Sequence, residues 1–367
     1  MRSTVRIMVS LGVACGIGLA SAASASAAET PARSATVVQS TPWRAVYAAR
    51  LGSPSLRAVS AISATNAWAV GNSRSGPFIV HWNGQAWHSA VIPHPAGFVA
   101  QSIQARPTGG VWVLGYVSTT TFSAFAIEWN GSTWHLVRLP ADASDAGVIF
   151  GPADMWLLGE TIFCNGTGTV CTTTVLHWNG QVWTRSTAPT LTADIEGTSD
   201  KDMWLIGTNN THQVGDQEFG QLVGFRWNGR SWVSVTMPHP EISGTPTFTV
   251  DSPSNVWMSA VSAKTDSQGQ QPTLGVHWNG TLWTVLTAPD VALAAGPIAT
   301  DGGAGAWFTP NAHWTGRTWI VEAGLWLPSW ANPFSFVGMA RIPGTTIVLV
   351  VVDSQGGTLV GTSQRLP

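Results

Sequence analysis

The sequence contains little charge. Only 10% of its 367 residues are charged, with 17 Lys and Arg against 19 Asp and Glu, and Lys201 and Lys264 are the only lysines. No run of basic residues occurs, which excludes the electrostatic footprint of a nucleic-acid-binding protein. Because 44% of the residues are hydrophobic, the composition also excludes a disordered, charge-rich chain.

Long apolar runs are equally scarce. The one long run covers residues 7–20; it follows Arg2 and Arg6, and Ala-Ser-Ala triplets ending at Ala25 and Ala27 come after it. This order is typical of a secretory signal peptide that is cleaved near its small residues. A retained membrane anchor is the alternative interpretation, although the run is short for a membrane span.

The signal peptide divides the chain into three parts. We expect a signal peptide at residues 1–28, a linker at 29–41 and one exported, extracellular domain at 42–367. After cleavage the chain has no expected membrane contact, since the remaining apolar stretch at residues 346–352 is only long enough for a strand.

Cysteine is rare. Of the three cysteines, Cys15 lies in the signal peptide, and Cys164 and Cys171 stand seven residues apart. In an exported protein this spacing predicts a local disulfide. A metal site built from these two side chains alone would lack further ligands, so neither a metal nor a cofactor is expected.

Signatures of catalysis are missing as well. The sequence has no Gly-x-Ser-x-Gly elbow, no His-Glu-x-x-His motif and no phosphate-binding loop. Tyr47 and Tyr116 are the only tyrosines, whereas a sialidase needs a tyrosine nucleophile beside an arginine cluster. The question of an enzymatic activity therefore stays open, and the sequence favours a protein without one.

Tryptophan, by contrast, is abundant and regularly placed. Most of the 21 tryptophans belong to two repeated elements. The first is Trp-Asn-Gly-x-x-Trp, which begins at Trp82, Trp129, Trp178, Trp227 and Trp278, and once as Trp-Thr-Gly-x-x-Trp at Trp314. The second is an apolar strand upstream of each copy, with Trp68, Trp112, Trp156, Trp204, Trp257 or Trp307 near its start. A repeat of this length made of strands alone is typical of propeller blades.

One repeat predicts four strands. In the first copy they cover residues 56–63, 67–72, 78–82 and 86–92, and Asn83-Gly84 predicts a type I′ turn between the last two. Six copies of the motif give six blades.

The chain ends supply the strands of a further blade. Residues 42–48, with Trp43, resemble the second half of a seventh motif, and the C-terminal residues hold three strands that lack a fourth. The sequence thus predicts an all-β, seven-bladed β-propeller with four antiparallel strands per blade, in which three C-terminal strands and one N-terminal strand form the last blade. Six blades, with residues 336–363 as an irregular cap, is the alternative.

The repeats resemble those of known propeller lectins. An apolar strand ending in Gly, followed by a strand ending His-Trp-Asn-Gly-x-x-Trp, is similar to the repeats of tectonin-type and bacterial fucose-binding lectins over about residues 42–363. More distantly, the Gly-x-x-Trp spacing is similar to the Asp-box of sialidase-type propellers, with Trp in place of the Asp. The resemblance implies a seven-bladed fold and a glycan ligand.

Length variation concentrates in connections that share one face of the predicted propeller. The long ones are residues 161–173, 208–221 and 262–272 between second and third strands, and 323–335 before the last blade. Insertions on one face of a repeat fold often mark its binding face. The candidate ligand-binding residues there are Trp326, Trp330, Glu160, Asp216, Glu218, Asp266 and Asp353.

These observations predict a secreted, monomeric recognition module that binds glycans through one variable loop face. An extracellular carbohydrate-active enzyme, either a glycoside hydrolase or a polysaccharide lyase, is the first alternative. A scaffold that binds extracellular proteins is the second. The preference for Arg over Lys and the richness in Ala and Gly indicate a bacterial source.

Overall fold

The computed structural model describes an all-β chain. It covers residues 28–30, 36–38, 43–50, 55–118, 121–162, 172–188, 192–214, 217–238, 241–266, 269, 271–287, 296–308, 312–322, 334–364 and 366. These residues form 30 strands, numbered in chain order, and no helix. A helix long and apolar enough to cross a membrane is accordingly not found among them.

Three short strands precede the first tryptophan repeat and belong to three different sheets. They are β1 (Ala28–Thr30), β2 (Thr36–Val38) and β3 (Arg44–Arg50). β2 falls in the segment where the sequence predicted a linker, and β1 begins at Ala28, the last residue of the predicted signal peptide.

Three four-stranded antiparallel sheets follow, each made of consecutive strands. The first holds β4 (Ser55–Ser63), β5 (Asn66–Ser73), β6 (Gly76–Trp82) and β7 (Trp87–Ala90). The second holds β8 (Phe98–Arg106), β9 (Gly110–Ser118), β10 (Phe122–Trp129) and β11 (Trp134–Arg138). The third holds β12 (Ala143–Gly151), β13 (Asp154–Ile162), β14 (Thr172–Trp178) and β15 (Trp183–Ala188).

A larger sheet of nine strands combines two further sets of four. The fourth set is β16 (Thr192–Ser199), β17 (Asp202–Val214), β18 (Gln217–Trp227) and β19 (Trp232–Val235). The fifth set is β20 (Glu241–Ser252), β21 (Asn255–Ser262), β22 (Thr273–Trp278) and β23 (Trp283–Thr287), and β1 is its ninth strand. The sets are joined because β20 pairs with β18 over three residues.

The remaining strands form two sheets. The sixth set is β24 (Ile298–Thr300), β25 (Ala306–Phe308), β26 (Ala312–Trp314) and β27 (Trp319–Glu322), with β2 added at its edge. The last set is β28 (Phe334–Arg341), β29 (Val348–Ser354), β30 (Gly357–Thr362) and the N-terminal strand β3. Because β3 pairs antiparallel with β30, the predicted pairing of the two chain ends is confirmed.

The hydrophobic core lies between consecutive sets rather than at one centre. Each cluster of buried residues draws on two neighbouring sets. One cluster joins the sixth set to the last through Trp307, Trp43 and Leu359. Another joins the last set to the first through Leu349 and Leu56.

The tryptophans of the second strands fill these interfaces. Trp68 is 5% exposed, and its ring meets the edge of Trp134, in the second sheet, with 5.7 Å between centroids. Trp204 and Trp283 form the same contact at 5.8 Å between the fourth and fifth sets. The repeat therefore specifies packing between sheets, and large aromatic rings supply much buried area there.

The Asn-Gly connections differ from the sequence prediction. Trp82 pairs directly with Trp87, so four residues connect the strands, and the predicted two-residue type I′ turn is wrong. Oδ1 of Asn83 accepts hydrogen bonds from the amides of Gln85 at 2.9 Å and Ala86 at 3.0 Å, as in an Asx turn. Gly84 adopts a φ of 92°, which glycine tolerates without steric cost.

The long connection predicted at residues 208–221 is mostly regular structure. β17 and β18 extend it into a hairpin whose pairs continue to Val214 and Gln217. Its side contacts include His212, whose Nδ1 lies 3.4 Å from Oε1 of Glu241. The extra length of this connection is thus accommodated by longer strands, which continue the pairing of β17 with β18.

Candidate functional site

The first strand of every set contributes to one cavity of about 570 Å³. Its walls come from β4, β8, β12, β16, β20, β24 and β28, and many of the lining side chains are polar. Successive first strands contact one another, and β28 contacts β4. The cavity is therefore central to the described strands.

Three lining side chains form a network of hydrogen bonds at one end of the cavity. Arg341, at the end of β28, forms an ion pair with Asp251 near the end of β20. Its Nε also donates to Oγ1 of Thr300 at 3.0 Å, and that hydroxyl donates to Oδ1 of Asp251 at 3.2 Å. The three side chains form hydrogen bonds to one another, and these bonds hold the three strands together.

Arg106 and Gln104 tie β8 to β12. Nε of Arg106 donates to the carbonyl of Ile149 at 2.9 Å, and its guanidinium lies 4.5 Å from the ring centroid of Phe150. Nε2 of Gln104 donates to the carbonyl of Gly147 at 2.6 Å. Burial lowers the pKa of Arg106, while attraction to Glu196 acts in the opposite direction. Arg106 remains a cation because guanidinium groups stay protonated in proteins.

Two carboxyl groups on β16 face the cavity. Asp194 and Glu196 alternate with Ile195, which packs in the hydrophobic cluster between the third and fourth sets. Side chains two apart on a strand share one face, so the two carboxyl groups lie side by side. The amide of Ile195 donates to Oδ1 of Asp194 at 2.9 Å.

Burial raises the pKa of these carboxyl groups. Burial, and then repulsion from Asp194, raise the pKa of Glu196 to about 8, against the attraction of Arg106. Burial likewise raises the pKa of Asp194. It also raises the pKa of Asp145 on β12, although a hydrogen bond from Gln101 acts in the opposite direction. A carboxyl group that keeps its proton near neutral pH can donate as well as accept hydrogen bonds.

The cavity wall is polar on one side and more apolar on the other. The charged groups Arg106, Asp145, Asp194 and Glu196 come from the neighbouring strands β8, β12 and β16. Across the cavity, β24, β28 and β4 contribute Ala299, Met339 and Ala340 together with the polar side chains of Ser60, Thr300 and Arg341. Val59 and Ile298 pack in the hydrophobic clusters between sets.

Sequence reasoning missed this site because the first strands carry no tryptophan motif. A signal was nevertheless present at the residue that pairs with the tryptophan of the second strand. In the fourth set this residue is Glu196, opposite Trp204. The equivalent residues in other sets are Ser60, Gln104, Val148, Thr249 and Ala299. Glu196 is thus an acid in a position that other repeats fill with neutral residues.

The structure describes only some of the residues that the sequence predicted on the variable loop face. Trp326, Trp330, Asp216, Cys164 and Cys171 lie outside the described residues. The backbones of Glu160 and Glu218 lie in β13 and β18.

The other two predicted residues lie away from the cavity. Asp353 is in β29, and its Oδ2 accepts a hydrogen bond from Oγ of Ser55 at 2.7 Å, which joins the last set to the first. Asp266 follows β21, and its carbonyl accepts from the amide of Gly269 at 3.1 Å. None of the predicted residues that the structure describes is among those that line the central cavity.

The histidines before the motif tryptophans have a structural role. His177 stacks on Trp156 with 3.9 Å between centroids, and its Nε2 lies 3.1 Å from Oδ1 of Asp154. The same arrangement joins His81, Trp68 and Asn66 in the first sheet. Within the described residues no group of three or more His, Cys, Asp or Glu side chains is placed to hold a metal ion.

Comparisons with known proteins identify the fold. No protein-family model matches the sequence, and no curated protein matches it. Among solved structures, YCF48 bound to D1 peptide has a TM-score of 0.57 and 12% identity, over 90% of this chain and 100% of that one.

Two further similar structures come from carbohydrate-related proteins. The Aleuria aurantia lectin in complex with alpha-methyl-L-fucoside has a TM-score of 0.45 and 13% identity, over 76% of this chain and 99% of that one. A polysaccharide lyase described as PL25-Ulvanlyase has a TM-score of 0.43 and 11% identity, over 86% and 98%. At these identities the likeness concerns the fold alone, and the architecture is that of a β-propeller.

Proposed function

We propose that the chain is an exported, seven-bladed β-propeller that binds glycans in its central cavity. The seven sets of four strands, each packed on the next, support the blade number. The nine-stranded sheet then consists of two blades that share a short ladder between β18 and β20. Closure is supported by the pairing of β3 with β30 and by the cluster that joins the last set to the first.

The amphipathic cavity wall carries the proposal of a glycan ligand. A sugar ring presents hydroxyl groups at its edge and an apolar face of C–H groups. The wall around Asp145, Asp194 and Glu196 can exchange hydrogen bonds with hydroxyls, while the wall around Met339 and Ala340 can contact the apolar face. Sites of this kind combine an apolar lining with a few well-placed polar groups.

The direction of entry follows from the strands. Arg341, Asp251 and Thr300 bind one another at the end of the cavity where β28, β20 and β24 finish, which favours entry from the other end. Asp145 and Asp194 lie in the first halves of β12 and β16, toward the opposite end. That end carries the extended hairpin of β17 and β18.

Charge narrows the class of glycan. Arg341 is neutralised by Asp251, which leaves Arg106 as the cation facing Asp145 and Asp194. Glu196 keeps its proton near neutral pH, so the two aspartates outnumber this cation among the described lining residues and repel a uronate or sulfate. The cavity favours neutral or aminated sugars. A polysaccharide lyase acting on uronates is disfavoured, because such an enzyme must neutralise its substrate's carboxylate.

One observation favours a second candidate, a glycoside hydrolase. Glycosidases use two carboxyl groups, one of them protonated by virtue of a raised pKa. Glu196, with a pKa of about 8, has the property of a general acid, and Asp194 on the same strand face is the adjacent carboxyl group.

A binding and hydrolysis assay on one set of variants tests both candidates. The wild type should bind neutral or aminated oligosaccharides on an array and ignore polyuronates. Asp194→Asn should weaken binding by about tenfold, the loss expected for one hydrogen bond to a charged group. Asp142→Asn is the matched control, because Asp142 forms an exposed ion pair with Arg185 and is not among the residues that line the cavity.

The outcomes separate the two candidates. A lectin should bind without releasing reducing ends, and Glu196→Gln should retain most of the affinity. A hydrolase should release reducing ends, and Glu196→Gln should abolish release while binding persists. Equal binding of polyuronates and neutral sugars, or no loss in Asp194→Asn, would contradict the assignment of the cavity.

A further inference from the structure

In four sets, the turn between the first and second strands packs against the Trp-Asn-Gly-x-x-Trp or Trp-Thr-Gly-x-x-Trp connection. A Cβ atom on the glycine of that connection would lie 2.7–3.0 Å from a side-chain atom of this turn. The contacting residues stand three before the second-strand tryptophan and are Thr65, Ala153, Ser254 and Ala304. In the fourth set Lys201 has this place, yet no atom outside the adjacent residues lies within 4 Å of the same point on Gly229. Gly131 of the second set is also uncontacted, but there Gly109 stands in the place of Lys201 and has no side chain.

The two turns of the fourth set are consequently apart, and a hydrogen bond between them is missing. In the first, third and fifth sets, Nε1 of the leading motif tryptophan donates to a carbonyl of the other turn at 2.9, 3.0 and 3.2 Å. Nε1 of Trp227 has no hydrogen-bond partner in the described part of the chain. A cleft of about 660 Å³ opens here. Its lining includes Lys201, Arg226, Trp227, Asn228, Val233 and Val235.

Arg226 occupies the position at which four other sets have a histidine. Those histidines stack on the second-strand tryptophan, with 3.9–4.2 Å between ring centroids. The guanidinium of Arg226 lies 5.2 Å from the ring centroid of Trp204, and its Nη2 is 3.2 Å from Oδ1 of Asp202. Neither Nε nor Nη1 of Arg226 has an acceptor among the described residues, and the side chain is 35% exposed. The guanidinium therefore keeps donors for a ligand in the cleft.

The charges around the cleft leave it with a net positive charge. Lys201 and Arg226 are the charged residues in its lining. Asp202 offsets one of these charges through its ion pair with Arg226, although Asp202 is buried and does not itself line the cleft. Asp200 in the first turn and Arg230 in the motif connection carry opposite charges, and neither belongs to the lining. One positive charge therefore remains, on a chain whose formal net charge is -2.

We propose that this cleft binds a small organic anion that carries one carboxylate on an apolar body. Hydrogen bonds from guanidinium and ammonium groups to a carboxylate are strong because both partners are charged. Val233 and Val235 supply apolar surface beside these donors, as in small-molecule sites that combine an apolar lining with a few polar groups. The cleft shares no lining residue with the central cavity, so this inference does not depend on the proposed glycan ligand.

A titration of the exported protein with phenylacetate, followed by NMR, tests the proposal. Phenylethanol, which has a similar shape and no charge, is the matched ligand. Compounds of this size are expected to bind with a Kd in the millimolar range. Phenylacetate should bind about tenfold more tightly than phenylethanol, because only the carboxylate accepts charge-assisted hydrogen bonds. Equal affinity for both compounds, or no saturable binding of phenylacetate, would overturn the proposal.

Two substitutions test whether the cleft is the site of binding. Lys201→Ala introduces the residue that the third and sixth sets already have at this place, so the fold should be kept, and phenylacetate should bind about tenfold more weakly. Arg226→His introduces the residue of four other sets and should weaken binding at least as much. Lys264→Ala is the matched control, because Lys264 is the other lysine, is exposed and lies outside the lining.

The outcomes of these variants decide the proposal. Unchanged affinity in Lys201→Ala, or an equal loss in Lys264→Ala, would overturn it, and these two variants suffice if Arg226→His does not fold. Binding of heparin that depends on Lys201, without any binding of phenylacetate, would identify a surface for acidic polymers and would overturn the proposal as well.

Discussion

The protonation of Glu196 should have a measurable effect on the free energy of unfolding. Burial and the neighbouring Asp194 raise its pKa from 4.5 to about 8 in the folded chain. Between these two values the folded state binds a proton that the unfolded state has released. The stabilisation is therefore complete below about pH 4.5 and is lost as the pH rises through 8.

The size of the effect follows from the same values. Each pKa unit corresponds to about 1.4 kcal/mol, so a change of this extent sets an upper limit of ~5 kcal/mol on the change in the free energy of unfolding. Glu196 is only half-buried, and solvent screening reduces the contribution to ~1–3 kcal/mol. Glu196→Gln keeps the size and the hydrogen-bonding capacity of the protonated carboxyl group but cannot ionise.

Urea unfolding at a series of pH values between 5 and 9 measures this contribution. The free energies of unfolding of wild type and Glu196→Gln should be similar at pH 5, and the variant should become the more stable by ~1–3 kcal/mol at pH 9. Subtracting the free energy of unfolding of the wild type from that of the variant cancels the contributions of the other titrating groups, which both proteins share. Asp194→Asn should move the midpoint of this difference to lower pH, because it removes a repulsive charge. Parallel curves for wild type and Glu196→Gln would refute the reasoning.

Three further predictions concern other parts of the chain. Burial lowers the pKa of His277 to about 4, so the free energy of unfolding should decrease as the pH falls from about 6.5 toward 4. Thermal unfolding at pH 5 should show that His277→Gln recovers roughly 1–2 kcal/mol of that loss. Trp43 is 1% exposed and packs between the sixth and last sets. Trp43→Ala should therefore lower the free energy of unfolding in urea by about 3–5 kcal/mol. Val91 is 93% exposed, and Val91→Ala should lower it by less than about 0.5 kcal/mol. Cys164 and Cys171 should resist alkylation until a reductant is added, as peptide mass mapping would show; free thiols in the exported protein would contradict the predicted disulfide.

The strand order was predictable because the tryptophans mark the same place in every repeat. Trp204 and its counterparts stand in second strands that are buried on both faces, so they are rich in apolar residues and easy to recognise. The motif pair Trp82 and Trp87 marks the third and fourth strands in the same way. The last blade could be assembled from the chain ends because Trp43 has the character of a motif residue without its partner strands.

The central cavity could not be predicted in the same way. Its side chains lie on first strands, whose sequences share no motif, and whether Asp194 faces a cavity or solvent depends on the packing of all the sets. The β1 and β2 pairings were also hidden, because three-residue strands are too short to show a periodic pattern. The Asn-Gly turn was misjudged for a local reason: the dipeptide favours a two-residue turn, but the tryptophan pairing leaves four residues in the connection.

Residues that are the same in many repeats have structural roles, whereas the residues proposed to bind a ligand differ between repeats. Residues that recur, such as Trp156 and His177, stack on each other in the same way in the first, third, fifth and sixth sets. Of the residues opposite the second-strand tryptophans, all but Val148 line the cavity, and the side chain there differs from set to set. Val148 packs in the hydrophobic cluster between the third and fourth sets. An identical residue at that position in all sets would give a symmetric lining with no preferred ligand orientation. The acids on β12 and β16 break the symmetry, so a bound ring would have one hydrogen-bonded edge and one apolar contact, and a single orientation follows from that asymmetry.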